Sequence, residues 1–386
     1  MTILAASILA LAVGSQAHQV AWSKGMYCKN SNSNVDSPNA AGFIIDPLYN
    51  LTTTDWFLHG VCRNFPPPAG EYLNVPANGK FTVEIASNRA FTTMSYNGTK
   101  ATDWPDGKVH PNNWSTNVSD PNFPPSSVGC LGSPNIHAHG SVDAAGTAFA
   151  ISYNNNINTV AMTDFTVFTV LANTPYKRLA TYSVPNLPAC PSGGCLCAWA
   201  WVPNGCGQSN IYMNAYRCQV TGASKTALPV GKPQVPVWCQ TNQSACLKGP
   251  KQMIVQWQAQ GNNVVLPSGM QQGGGWPSPN YNSKVGFTAG AQTDIFVSTT
   301  VKSTATSSAS SAKITSSAST TTTASAVNAA ITTGAEASNS LSAETATGTV
   351  VSEPSDTVVP SSAPPRDTMI PVMLTITAIF ILSSFM

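Results

Sequence analysis

Charged side chains are scarce in this chain: they make up 9% of its 386 residues, and the formal net charge at pH 7 is +2. This scarcity excludes the basic stripe that a nucleic-acid-binding surface needs. With only 16 Asp and Glu residues, the sequence also offers no convincing pair of carboxylates for glycoside hydrolysis. No stretch has the 3.6-residue period of a long amphipathic helix. The composition suits a neutral partner rich in hydroxyl groups, such as a polysaccharide.

Both ends of the chain have the composition of targeting segments. Residues 1–17 are predicted to be a secretory signal peptide, because the apolar run from Leu4 to Val13 is too short to span a bilayer and the small residues Ser15 and Ala17 suit a cleavage site. Residues 369–386 form an apolar tail with no Lys or Arg after it. Since a membrane-spanning helix usually has a basic cytoplasmic flank, we interpret this tail as a glycosylphosphatidylinositol (GPI) anchor signal. The protein is therefore expected to be extracellular, attached to the plasma membrane or the cell wall.

Between these ends, the composition divides the chain into two parts. Residues 18–296 contain all ten cysteines and nearly all the aromatic residues, which predicts one globular domain. Residues 297–368 are dominated by Ser, Thr and Ala and contain no aromatic residue. Such a segment buries too little apolar surface to offset the entropy of ordering it, so we predict a disordered, O-glycosylated stalk.

The cysteines and the sequons agree with a secreted protein. An even number of cysteines in a secreted chain predicts disulfides rather than a zinc site, and this includes the cluster of Cys190, Cys195 and Cys197. Asn-x-Ser/Thr sequons are candidate glycosylation sites wherever they are exposed. The five sequons are at Asn50, Asn97, Asn113, Asn117 and Asn242.

Polar and apolar residues alternate with a period of two in several segments of the globular part, which is the signature of β-strands. These segments cover residues 81–86, 149–153, 165–170 and 211–218, and Pro- and Gly-rich breaks separate them. The pattern predicts an all-β protein: an immunoglobulin-like or fibronectin-like β-sandwich with long loops, braced by disulfides.

His18 becomes a candidate metal ligand through its place behind the signal peptide. Cleavage after Ala17 would make it the first residue of the mature chain, so that its free α-amine and its ring Nδ1 could chelate one ion. A second imidazole would complete a set of three neutral nitrogens, the histidine brace, which suits copper by ligand type and geometry. The alternative is that His18 is an ordinary terminal residue without a role.

The other four histidines differ in their surroundings. His137 and His139 are two residues apart, so they share a face if the segment is extended, and one of them is the predicted second ligand. Each can also be an ordinary hydrogen-bonded loop histidine. His59 lies among apolar residues and is predicted to be a core histidine with its hydrogen bonds satisfied. His110 lies in a loop rich in Pro and Asn and has no predicted role.

Tyr212 is the candidate axial group for such a metal. It belongs to the alternating segment 211–218, where Asn210, Tyr212, Asn214 and Tyr216 face one way. A polar strand face usually points to solvent, but a tyrosine at this place can also stand beside a copper ion. The residues themselves leave both interpretations open.

Several segments of residues 18–296 together resemble one family, the auxiliary activity family fourteen lytic polysaccharide monooxygenases of fungi. The most specific are the Cys-x-Cys-Ala-Trp segment that ends at Trp199 and the Tyr-Met-Asn segment that begins at Tyr212. The other matching segments are residues 56–60, 66–70, 73–79, 132–137, 164–168, 191–195 and 290–296.

This resemblance implies a copper brace on an immunoglobulin-like β-sandwich, with His18 as the chelating N-terminus and Tyr212 as the axial tyrosine. His137 is implied as the second histidine, because the residues behind it keep the family spacing. Counting forward from Cys130 favours His139 instead, so both remain candidates. Related enzymes often place Gln two residues before the axial tyrosine, and here that place is taken by Asn210, whose side chain is one methylene shorter.

The implied reaction is the copper-dependent oxidative cleavage of glycosidic bonds, with O₂ or H₂O₂ as co-substrate and an external reductant as electron donor. The implied substrate is xylan associated with cellulose, and the enzyme is expected to be a monomer. The anchor and the stalk also suit three other functions. These are a GPI-anchored copper-binding protein with the same brace but no cleavage, oxidation of fungal wall glucan or chitin, and a purely structural wall glycoprotein.

Overall fold

A computed structural model describes residues 18–116, 130–131, 136–203, 209–268 and 278–297. They all belong to the first of two units of the chain, Met1–Ala305; the second, Thr306–Met386, lies outside the described residues. The predicted signal peptide, the anchor signal, the sequon at Asn117 and all of the predicted stalk except Val297 lie outside them too.

The described residues form nine β-strands in two sheets. A three-stranded antiparallel sheet has the order β1-β3-β6, and a six-stranded sheet has the order β2-β8-β7-β4-β5-β9. All neighbours in the larger sheet are antiparallel except β2 and β8. The strands are β1 (Val20–Trp22), β2 (Leu73–Pro76), β3 (Lys80–Ala86), β4 (Thr147–Ser152), β5 (Thr166–Leu171), β6 (Leu179–Ser183), β7 (Cys195–Trp201), β8 (Tyr212–Thr221) and β9 (Gly290–Ala291).

Helices are short in the part of the chain that the structure describes. One α-helix, α1, covers Thr53–Trp56. None of the helices among the described residues has the length and apolar composition to cross a membrane. The 3-10 helices are Gly42–Ile45, Phe57–Asn64, Arg89–Phe91, Tyr96–Gly98, Ser141–Asp143, Met162–Asp164, Gln243–Ala245 and Ser283–Val285.

The predicted β-sandwich is confirmed, and aromatic residues join its two sheets. Phe81 of β3 packs edge-on against Phe149 of β4, with ring centroids 5.0 Å apart. Tyr182 of β6 contacts the same Phe149 ring at 4.9 Å. Large aromatic rings bury much apolar surface, so this layer holds the sheets together. The four alternating segments of the sequence correspond to β3, β4, β5 and β8.

Disulfides brace the fold, as the cysteine count predicts. The described residues contain no free cysteine, and Cys130 is disulfide-bonded as well. The cluster of three cysteines is divided between two bridges, one of which joins β7 to β8. The pairs within the described residues are Cys28–Cys62, Cys190–Cys195, Cys197–Cys218 and Cys239–Cys246.

A second, smaller apolar cluster packs beside the main core and includes residues on both sides of His137. Ile136 and Ala138 are buried in it together with Trp104 and Tyr176. His110 contributes to its edge, since its ring stacks on Trp114 with centroids 3.6 Å apart and its Nε2 lies 2.9 Å from Asp106 Oδ2.

Candidate metal centre

Tyr212 begins β8 and is only 2% exposed. Its hydroxyl oxygen lies 3.1 Å from Nε2 of His137 and 3.3 Å from Nδ1 of His18. Because both nitrogens lie against the same oxygen, Nδ1 of His18 and Nε2 of His137 are close to each other. Of the predicted site residues, these three meet around one phenol oxygen, and Asn210 forms a hydrogen bond with the same tyrosine.

Strand pairing brings His18 to this place. β1 begins two residues after His18 and pairs with β3. The Tyr216 hydroxyl donates a hydrogen bond to the backbone oxygen of Ala21, which fixes β1 beside β8. Because Tyr212 lies four residues before Tyr216 and His18 lies three residues before Ala21, both reach the same end of the sandwich.

The backbone around His137 aims its ring at the site. His137 has a φ of +48°, in the left-handed region that few side chains other than Asn and Asp adopt. Its buried neighbours Ile136 and Ala138 anchor the loop in the small cluster. The Leu131 N–H donates to the carbonyl of Ala138, with N and O 2.8 Å apart, and fixes the loop further. With this backbone conformation, the ring of His137 points away from the cluster in which Ile136 and Ala138 are buried.

His139 lies in different surroundings. Its ring Nδ1 is 3.4 Å from the Thr116 hydroxyl oxygen, and its carbonyl accepts a hydrogen bond from the Thr116 N–H at an N–O distance of 2.8 Å. The ring of His137, in contrast, contacts both Tyr212 and Trp201, with ring centroids 6.0 and 5.4 Å away.

The environment keeps the Tyr212 phenol protonated. Burial raises the pKa of Tyr212 well above its ordinary value, and the negative charge of Asp46 raises it further, whereas a hydrogen bond with Asn210 lowers it. Asn210 is 1% exposed, and its Oδ1 has no hydrogen-bond partner within the part of the chain that the structure describes. An unpaired buried acceptor is costly unless another group satisfies it.

The residues present fit a copper ion by donor chemistry. Neutral imidazole nitrogens suit copper, and two of them converge here. The third nitrogen of a brace is the α-amine of His18, which cleavage after Ala17 would release. Among the described residues, no group of three or more His, Cys, Asp and Glu side chains could hold a metal ion. A brace needs only two such side chains, because its third ligand is an amine.

Two features of the site are not evident from the sequence. Trp201 of β7 stacks on Tyr212, with ring centroids 4.4 Å apart, because the two residues are cross-strand partners. The predicted polar face of β8 does not meet solvent: Tyr212, Asn214 and Tyr216 are all buried. The run Cys-Ala-Trp-Ala-Trp that ends at Trp201 alternates with the period of a strand, and this was the sequence signal for Trp201. The alternation alone does not show which strand pairs with it.

The fold and the cluster of two histidines and a tyrosine agree with the class that the sequence resembles, the β-sandwich lytic polysaccharide monooxygenases. Residues 1–374 match the family described as "Lytic polysaccharide monooxygenase AA14". The chain belongs to this family. It is therefore a polysaccharide-oxidising monooxygenase, and the family implies copper and an electron donor.

Individual relatives agree with this assignment. The chain is 37% identical over 298 residues to "AA14 family lytic polysaccharide monooxygenase B" of Talaromyces rugulosus, an alignment that covers 73% of this chain and 94% of that protein. It is 31% identical over 319 residues to "AA14 family lytic polysaccharide monooxygenase A" of Trametes coccinea (strain BRFM310), covering 80% of this chain and 68% of the relative.

Proposed function

We propose that this protein cleaves xylan associated with cellulose by copper-dependent oxidation, at the site formed by His18, His137 and Tyr212. The observation that carries the proposal is the Tyr212 hydroxyl, which lies within hydrogen-bonding distance of His18 Nδ1 and His137 Nε2. Two imidazole nitrogens lie beside one buried phenol, and one of them belongs to the residue that cleavage after Ala17 would place first in the chain. This arrangement supports the donor set of a histidine brace.

Each residue has a distinct proposed role. The α-amine and Nδ1 of His18 and Nε2 of His137 would hold the metal, and Tyr212 would stand beside it as a protonated phenol. When bound, copper supplies one-electron chemistry with O₂ or H₂O₂, and an external reductant provides the electrons. Asn210 hydrogen-bonds Tyr212 and keeps its Oδ1 available to orient a polar group at the site.

We assign the second ligand to His137 rather than to His139. The Nε2 atom of His137 is directed to the same phenol oxygen as Nδ1 of His18, whereas the His139 ring contacts Thr116. The left-handed backbone at His137 supports this choice, since strained conformations persist where a function requires them.

We also propose the cellular context of the enzyme. Members of the family are typically secreted, which agrees with a signal peptide over residues 1–17. The protein would be a monomer held by a GPI anchor through a Ser/Thr-rich stalk. Glycosylation is supported at the sequons whose Asn side chains are exposed, namely Asn50, Asn97, Asn113 and Asn242.

The test is copper-dependent oxidation by the full chain after secretion from a eukaryotic host, with the N-terminus confirmed by mass spectrometry. Ascorbate and H₂O₂ are supplied, and xylan–cellulose composites, glucan and chitin are assayed for oxidised oligosaccharides. Products from the xylan composite that disappear in His18→Ala are the expected result. Products from glucan or chitin alone would overturn the xylan assignment, and tight stoichiometric copper binding without any product would favour a surface copper-binding protein.

A further inference from the structure

The segment Trp56–Gly60 has no role in the candidate metal centre, yet its backbone is unusual. Leu58, His59 and Gly60 all have positive φ, at +55°, +55° and +39°. Two consecutive residues with side chains in the left-handed region are disfavoured by the contact between Cβ and the following carbonyl oxygen. Such strain persists only where the surrounding structure imposes it, and it is concentrated at ligand-binding and catalytic sites.

The surroundings do impose this conformation. The indole N–H of Trp56 donates to the carbonyl of Gln260, with N and O 2.8 Å apart, and the Cys28–Cys62 disulfide holds the other end. A side chain at position 60 would place its Cβ 2.6 Å from the carbonyl oxygen of Thr54, so this position requires Gly60.

His59 lines a cleft of about 340 Å³ on the surface of the sandwich. Phe43, Leu48 and Leu51 provide apolar walls, and Asp46 and Asp55 add two carboxylates. A concave site that is mostly apolar, with a few polar groups to fix orientation, is the usual form of a small-ligand site.

The imidazole of His59 is the buried polar ring that lines this cleft. It is 2% exposed, and its Nε2 has no hydrogen-bond partner among the described residues. The sequence prediction of a core histidine is correct, but its hydrogen bonds are not all satisfied. Burial lowers the pKa of His59 to about 4, so the ring is neutral near pH 7 and presents one donor and one acceptor nitrogen.

The two carboxylates are available as acceptors. Neither Asp46 nor Asp55 forms a salt bridge within the described part of the chain. One oxygen of Asp55, Oδ2, accepts a hydrogen bond from the Thr52 hydroxyl at 2.6 Å, which leaves its other oxygen for a ligand. Carboxylate oxygens accept hydrogen bonds, which suits a ligand that carries hydroxyl donors.

The cleft adjoins the candidate metal centre. Leu48 exchanges both backbone hydrogen bonds with Ile211, the residue immediately before Tyr212. The charge of Asp46 acts on Tyr212 as well. A ligand in the cleft would therefore lie close to Tyr212 of the candidate metal centre.

We propose that this cleft is a subsite for one neutral pyranose ring of the polysaccharide. The C–H face of a sugar ring suits Phe43 and Leu51, its hydroxyls donate to the carboxylates of Asp46 and Asp55, and a further hydroxyl pairs with the imidazole of His59. This inference rests on the proposed function, because the sugar ring belongs to the chain that the metal centre oxidises.

The experiment measures binding without turnover. The copper-loaded full chain is titrated calorimetrically with xylohexaose, cellohexaose and chitohexaose in the absence of reductant. His59→Gln replaces the imidazole with an amide, and Asp55→Asn replaces one accepting carboxylate oxygen with an NH₂ donor. Thermal unfolding shows whether each variant folds. Asp164→Asn is the matched control, since Asp164 is also exposed and also accepts a hydrogen bond from the residue three positions before it. Asp55 is exposed, so its variant keeps the test decisive even if His59→Gln does not fold.

We expect the favoured hexaose to bind about fivefold or more weakly to His59→Gln and Asp55→Asn, which corresponds to one net hydrogen bond, and unchanged to Asp164→Asn. The subsite is refuted if no hexaose binds, or if Asp55→Asn binds like the parent protein. Cleft-dependent binding without oxidised products would refute the proposed function alone. Normal oxidation with binding indifferent to both cleft variants would refute the subsite alone.

Discussion

Trp201 stacks on Tyr212, with ring centroids 4.4 Å apart and ring planes inclined by 19°. The same indole meets the His137 ring edge-on at 5.4 Å. One buried side chain of β7 thus contacts both the proposed axial tyrosine and the proposed second copper ligand. Because Trp201 touches two of the three site residues, its packing fixes their separation.

Trp201→Phe should alter the geometry of the copper site while preserving the sandwich. Phenylalanine keeps much of the apolar contact but leaves part of the stacking surface on Tyr212 unfilled. We expect a changed Cu(II) electron paramagnetic resonance spectrum. Trp199→Phe is the control, because Trp199 lies on the same strand and donates to the Tyr182 hydroxyl instead. Identical spectra for the parent and Trp201→Phe would contradict the positioning role.

His137→Ala and His139→Ala should separate the two candidate ligands. Removal of a group that merely orients a ligand costs roughly 10–100-fold in metal affinity, so removal of the ligand itself should cost more. We expect that loss in His137→Ala, whereas His139→Ala should bind Cu(II) nearly as tightly as the parent protein. Competition titration with a chelator measures both affinities. The reverse order would transfer the assignment to His139.

The burial of His59 should lower the free energy of unfolding in mild acid. Its pKa is about 4 in the folded protein and near 6.5 in the unfolded chain, so between these pH values only the unfolded chain binds the proton. The free energy of unfolding should therefore fall by up to about 3 kcal/mol as the pH drops from 6.5 to 4, and this contribution should level off below.

His59→Gln lacks this titration, so its unfolding free energy should decline less steeply over the same range. Urea unfolding at half-unit pH steps compares the two slopes, which removes the contributions of groups that both proteins share. Parallel slopes would show that the ring is accessible to protons in the folded state.

The disulfides should differ in their effect according to the length of chain that they close. Cys28 and Cys62 are 34 residues apart, whereas Cys190 and Cys195 are 5 apart. Loop-closure entropy predicts a loss of about 4 kcal/mol for the first bridge and about 2 kcal/mol for the second. Urea unfolding of the two double Ser variants measures this order. Equal losses would mean that local packing, rather than chain entropy, determines the effect.

Residue patterns predicted much of the sandwich but not its arrangement. The alternation at residues 81–86 and 211–218 predicted two strands that the structure contains as β3 and β8. The pairing order of the sheets is not encoded in the alternation, because any strand with one apolar face can pair with several others. The same limit explains why the polar side of β8 could be interpreted as facing solvent, whereas Tyr212, Asn214 and Tyr216 are in fact buried.

In the candidate site too, the sequence predicts the residues, and the structure shows which of them are in contact. His18, Tyr212 and the pair of His137 and His139 follow from the predicted signal peptide and from the family segments. The structure adds that His137 has a left-handed backbone and contacts the phenol, whereas His139 contacts Thr116. The two-residue spacing of His137 and His139 does not show which ring reaches the site. A change of φ at one residue is enough to point the two rings in different directions.

The sequence by itself determined the all-β class, the cysteines that form bridges and the residue types that can bind copper, because these depend on local period, compartment and side-chain chemistry. Only the tertiary structure decided which groups meet. Strand pairing placed Trp201 against Tyr212, and a strained turn placed His59 at the base of a cleft. Contacts between residues far apart in the chain are set by the packing of the whole sandwich, which no local pattern contains.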